Sequence, residues 1–117
     1  MNLTIDELKD LRNVVERIPQ FEEKLGVKLE NISFSIVGMF LEIHGDFLMD
    51  NLNNFDAQHI DISATVYDQD NFILGADHVT IYQEDFLGFE TFTIDVQLSD
   101  NDLNSIEKIR LYLKPCY

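Results

Sequence analysis

From Ile32 onward the apolar residues of this chain fall at every second position, and that period of two admits few architectures. Ile32, Phe34 and Ile36 alternate with Ser33 and Ser35. Leu41, Ile43, Gly45, Phe47 and Met49 alternate with Glu42, His44 and Asp46. Ile60, Ile62, Ala64 and Val66 alternate with Asp61, Ser63 and Thr65. Phe92, Ile94, Val96 and Leu98 alternate with Thr91, Thr93, Asp95 and Gln97. Ile109, Leu111 and Leu113 alternate with Lys108, Arg110, Tyr112 and Lys114, and Pro115 is expected to close this last strand. Phe72 to Tyr82 is also extended, with a break near Gly75 that predicts a bulge. Turn formers separate these runs at Gly38, 50–56, 68–71, 83–88 and 99–104. About six strands with one buried face each predict antiparallel sheets, and two such sheets bury their faces against each other in an immunoglobulin-like β-sandwich.

The first 26 residues follow a different period. Thr4 and Glu7 have capping-box spacing, with Leu3 and Leu8 placed as a hydrophobic staple. Leu8, Leu11, Val15 and Ile18 then share one helical face, opposite Lys9, Asp10, Asn13 and Arg17. Pro19 ends or kinks this helix, and a short second turn from Gln20 to Leu25 stops at Gly26. The expectation is an N-terminal helix packed on the sandwich. Residues 1–26 are the helical segment, residues 27–117 the sandwich, and the whole is one compact domain of 117 residues with no repeat or linker.

Charge narrows the function classes. The formal net charge is −14, from 22 acids against eight Lys and Arg. Residues 1–30 sum to −2 and residues 31–117 to −12, with no Lys or Arg from Asn31 to Glu107. Phosphate-neutralising contact with nucleic acid and adsorption to an anionic membrane both need clustered cations, so neither is expected. No apolar run reaches the roughly 20 residues of a membrane helix, and the first residues lack the order of a signal peptide. With Cys116 alone no internal disulfide forms, and a reduced, cytoplasmic location is expected.

Little in the residue pattern points to catalysis or metal. His44, His59, His78 and Cys116 have no metal-ligand spacing, and His44 and His59 face away from the core by strand parity. Cys116 has no sequence-local base to activate it. There is no G-x-S-x-G, phosphate-cradling glycine loop or H-E-x-x-H, so no enzyme and no cofactor is expected. Asp68-Gln-Asp-Asn begins like an EF-hand loop, but Phe72, Ile73 and Val79 occupy positions that need a ligand, a glycine and a glutamate. Strands running up and down in order would still gather Asp68, Asp70, Asp100 and Asp102 at one end as a calcium cluster.

Residues 41–115 carry Gly45, Asn51, Val66-Tyr67-Asp68, Asp70-Asn71, Gly75 and Phe92 in an order that resembles the FxLYD-type, immunoglobulin-like domains of bacteria. Ala64 stands where that family has its name-giving phenylalanine, and Val66 replaces the leucine. The resemblance implies a β-sandwich with an adhesive or binding role and carries over no catalytic residue. The expected function is a non-catalytic cytoplasmic binding or assembly module with an unidentified protein partner, for which the acidic balance leaves a basic one open. Two alternatives are an acidic inhibitor or immunity-type protein that blocks a basic site, and a calcium-binding sandwich. Edge pairing through the strand with Ser33 and Ser35, or contact through Lys108, Arg110 and Lys114, would make a homodimer.

Overall fold

The computed structural model describes residues 3–99 and 101–117. The elements in chain order are α1 (Ile5–Asp10), a 3₁₀ turn (Leu11–Val14), β1 (Val15–Arg17), α2 (Pro19–Leu25), β2 (Val27–Val37), β3 (Phe40–Met49), β4 (His59–Tyr67), β5 (Ile73–Tyr82), β6 (Phe89–Gln97) and β7 (Lys108–Cys116). They form two sheets, ordered β1-β7-β4-β5 and β2-β3-β6, stacked as a sandwich. The core is what strand parity dictates. Leu41, Ile43 and Phe47 of β3 and Phe92, Ile94 and Val96 of β6 face Ile60, Ile62 and Val66 of β4 and Ile109, Leu111 and Leu113 of β7, and all are buried. Each such side chain removed from water contributes roughly 1.5–3 kcal/mol.

The N-terminal segment departs from the expected helix. The Thr4–Glu7 capping box is present, yet α1 ends at Asp10. Leu11–Val14 tightens into a 3₁₀ turn, and Val15–Arg17 becomes a strand parallel to β7, with Val15 opposite Ile109 and Arg17 opposite Leu111. Val14 and Val15 are β-branched, which lowers helix propensity, and sheet pairing with β7 outweighs what remains. Residues 1–26 thus supply a strand to the sandwich, the only parallel pairing in its sheets among the described residues. Pro19 does not kink a continuing helix but opens α2 at its first turn, and Gly26 closes α2 with a left-handed φ of 69°.

Two further differences concern strand ends. β2 begins at Val27 rather than near Ile32, and a bulge between Glu30 and Ser33, with Asn31 at φ 56°, hides the continuity of its alternation. Pro115 lies within β7, opposite Ile60, and the strand runs on to Cys116. There β1 has already ended, so β7 has a neighbouring strand on one side only, a setting that tolerates proline.

The bulge expected near Gly75 is present, because Val66 pairs with Gly75 while Tyr67 pairs with Ile73. The reason a glycine stands at position 75 lies in the other sheet. A Cβ on Gly75 would stand 2.8 Å from the Gln97 carbonyl oxygen and 2.9 Å from Val96 Cγ1. A backbone oxygen cannot rotate aside, so Gly75→Ala must push β5 from β6. We expect a loss of about 1–3 kcal/mol, as for overpacked cores. Denaturant titration checks this, and an unchanged midpoint would show that the two edges separate freely.

Candidate functional site

The outward residues of the β2-β3-β6 sheet form one surface. Along β3 they are Phe40, Glu42, His44, Asp46 and Leu48. Strand register sets their neighbours. Glu42 lies between Ser35 and Asp95, His44 between Ser33 and Thr93, and Asp46 between Glu30 and Thr91. The Ser35 hydroxyl is 2.9 Å from Glu42 Oε1 and 2.8 Å from His44 Nε2, and His44 Nδ1 is 3.0 Å from the Thr93 hydroxyl. Asp46 accepts from Asn31 Nδ2 at 2.8 Å and from the Thr91 hydroxyl at 3.0 Å.

The hydroxyl and amide donors satisfy Glu42 and Asp46 without neutralising them, and His44 Nε2, 3.7 Å from Glu42 Oε1, pairs with it as a cation only when protonated. Glu30, Glu42, Asp46 and Asp95 all face outward here, and Lys28, the one Lys or Arg among the outward residues of these three strands, is 3.1 Å from Asp50. Two pairs of like charge stand directly across from each other, Glu42 against Asp95 and Glu30 against Asp46. Opposed like charges on one sheet face destabilise it.

The opposite face, on the β1-β7-β4-β5 sheet, carries the last-strand cations. Arg110 Nε donates to Glu16 Oε1 at 3.0 Å, and Lys108 Nζ is 3.8 Å from Glu16 Oε2. Both cations also stack on the Tyr67 ring, at 4.7 Å for Lys108 and 5.4 Å for Arg110. Lys108 and Arg110 therefore already have partners within the chain, and β7 is an inner strand beside β1. Lys114 faces Asp61 across the strands, but Asp61 Oδ1 accepts from the Thr80 hydroxyl at 2.7 Å.

Of the residues singled out in the sequence, Ser33 and Ser35 do lie on an edge strand, β2. That edge is partly occupied. α1 packs against it, and Arg17 Nη2 donates to the Leu29 carbonyl at 2.7 Å while also pairing with Glu22. Of the four aspartates grouped as a calcium cluster, Asp68, Asp70 and Asp102 lie among the described residues. Lys108 Nζ reaches Asn71 Oδ1 at 3.5 Å, and the Glu107 amide donates to the Tyr67 carbonyl at 2.9 Å, so the start of β7 does lie beside the 68–71 turn. Asp68 Oδ1, however, accepts from the Asp70 and Phe72 amides at 2.8 and 3.0 Å, closing its own turn. Asp100 lies outside the described residues, and among the described residues no three His, Cys, Asp or Glu side chains converge to hold a metal. His59 and His78 lie on the β4-β5 side, each beside one aspartate, Asp61 and Asp77, and Cys116 is exposed.

Sequence parity placed Glu42, His44 and Asp46 on one face, but not their neighbours. Which strand pairs with which, and in what register, brings Ser35, Thr93 and Asp95 to them, and a one-residue slip would have changed every partner.

No known protein-family model matches the chain, and no curated protein matches it. Among solved structures it is similar to the crystal structure of a glycosyl hydrolase family 2 member from Bacteroides cellulosilyticus DSM 14838, with 6% identity and a TM-score of 0.37. That match covers 80% of this chain and 15% of the other. Among the described residues no helix is long and apolar enough to cross a membrane.

Proposed function

We propose that this chain is a non-catalytic binding module that receives a basic protein surface on the outer face of the β2-β3-β6 sheet. The observation that carries this reading is the two pairs of directly opposed carboxylates, Glu42 with Asp95 and Glu30 with Asp46, on a sheet whose one outward Lys or Arg, Lys28, is paired with Asp50. Like charges held opposite each other cost stability in the free protein. A partner's Lys or Arg would relieve that cost on binding, and the same field would speed encounter. The acidic inhibitor or immunity-type role is the special case in which the partner's basic surface is itself an active site. The resemblance of residues 41–115 to FxLYD-type domains agrees with a binding role. The lone Cys116 agrees with work in the reducing cytoplasm.

The test has two parts. In the isolated protein, Glu42→Gln or Asp95→Asn should leave stability unchanged or raise it, by about 0.2–1 kcal/mol. In binding, a basic protein captured from host lysate should lose affinity as salt rises. It should also bind the Glu42→Lys, Asp95→Lys double variant at least about tenfold more weakly. An Asp56→Lys, Glu84→Lys double variant changes net charge equally in exposed loops and should bind nearly as wild type. Equal losses in the two double variants would assign the binding to net charge and overturn the assignment to this face.

A further inference from the structure

β1 ends opposite Leu111, and the chain then turns into α2, which packs beside the second half of β7. Between them is an open groove of about 300 Å³. Phe21, Lys24 and Leu25 are spaced i, i+3, i+4 on α2 and so share the face that lines it. Leu113, Lys114, Pro115 and Tyr117 line it from the β7 side. Glu22 and Glu23 line a different groove, on the far side of α2, and Glu22 is paired with Arg17 there. The walls are thus mostly apolar, and the two charged side chains among them are both lysines.

With 22 acids available, Arg17, Lys28, Lys108 and Arg110 all have a carboxylate at salt-bridge distance. Lys9, Arg12, Lys24 and Lys114 have none among the described residues, and of these four it is Lys24 and Lys114 that line this groove, with Asp61 across the strands from Lys114 but beyond salt-bridge distance. Phe21 and Tyr117 remain 43% and 71% exposed beside them, apolar surface that an occupant would cover.

We propose that this groove binds a small amphipathic carboxylate, its apolar body against Phe21, Leu25, Leu113 and Pro115 and its carboxylate between Lys24 and Lys114. The occupant is a small molecule because α2 stands where another strand beside β7 would lie, and because the volume is at the small end of ligand pockets, roughly 300–1,000 Å³. The two unpaired ammonium groups set the sign of the head group. Each can donate a charge-assisted hydrogen bond to a carboxylate and none to a cation.

The net charge of −14 makes the test sharp, because global electrostatics favours a cationic ligand. Octanoate, octanol and octylammonium share one apolar body and differ in the head. Calorimetry with the full chain should give saturable octanoate binding, with octanol at least about tenfold weaker, as expected for losing a charge-assisted contact. Octylammonium should be the weakest of the three. Amide shifts on octanoate titration should centre on residues 21–25 and 112–117. A Lys24→Gln, Lys114→Gln variant with unchanged circular dichroism should lose the preference for octanoate over octanol. Octylammonium binding as tightly as octanoate, no saturable octanoate binding, or a preference that survives in the double variant would each overturn the assignment.

Discussion

Phe47→Ala should cost about 3–5 kcal/mol of unfolding free energy, the usual range for an aromatic removed from a core. Phe47 is fully buried at the inner face of β3. Its ring meets Phe86 edge-on, with centroids 5.3 Å apart and planes at 82°, and Phe86 in turn lies 5.5 Å from Phe55. One strand residue thereby anchors two connections, the segment between β3 and β4 through Phe55 and the segment between β5 and β6 through Phe86. The edge-on pair adds about 0.5–1.5 kcal/mol to the area that Phe47 buries. Small domains hold only about 5–15 kcal/mol in total, so Phe47→Ala threatens folding itself. Phe47→Leu keeps most of the volume and provides the second measurement, with an expected loss between zero and that of the alanine variant. Denaturant titration reads both, and hydrogen exchange should show the amides near Phe55 and Phe86 losing protection first. A loss under about 1 kcal/mol for Phe47→Ala would mean that the aromatic trio does not hold these loops.

The faces of this sandwich were legible because a period of two reports directly on which side of a strand is buried. Leu41 to Met49 and Phe92 to Leu98 follow that rule at each step. What the period does not report is the partner. Nothing in the local sequence of β3 says that Asp95 will stand across from Glu42, so the opposed carboxylates emerge only with the register. Elements too short for a period are also hidden. β1 is three residues long, and Leu8, Leu11, Val15 and Ile18 mimic a helical face across the 3₁₀ turn that actually aims the chain at β7. The break at Gly75 was visible as a bulge, but the reason the residue there is glycine, a β6 carbonyl that a Cβ would strike, belongs to the opposite sheet. In β2 the bulge at Asn31 concealed that Val27 and Leu29 already lie in the strand. The α2 face of the groove was legible as the spacing of Phe21, Lys24 and Leu25, whereas its strand wall depends on β1 stopping at Arg17.

The N-terminal segment is the place where this distinction can be measured. Leu11 is 8% exposed and belongs to the core, although α1 before it buries no residue completely. Leu3, Leu8, Val14 and Val15 pack around that core as half-buried neighbours. Leu11 is thus the residue that fastens the turn between α1 and β1 to the sandwich. Leu11→Ala should cost about 2–4 kcal/mol, by lost transfer free energy plus the cavity left behind. Arg12→Ala, exposed on the same turn, should stay within about 0.5 kcal/mol of wild type. Hydrogen exchange should separate the two consequences of the leucine change. The amides of Val15 to Arg17 should open locally, because their pairing with Ile109 to Leu111 depends on the turn, while those of β3 and β6 should open only with the whole domain. A Leu11→Ala loss no larger than that of Arg12→Ala would show that residues 3–17 are an appendage, and that β7 does not need β1 to complete its sheet.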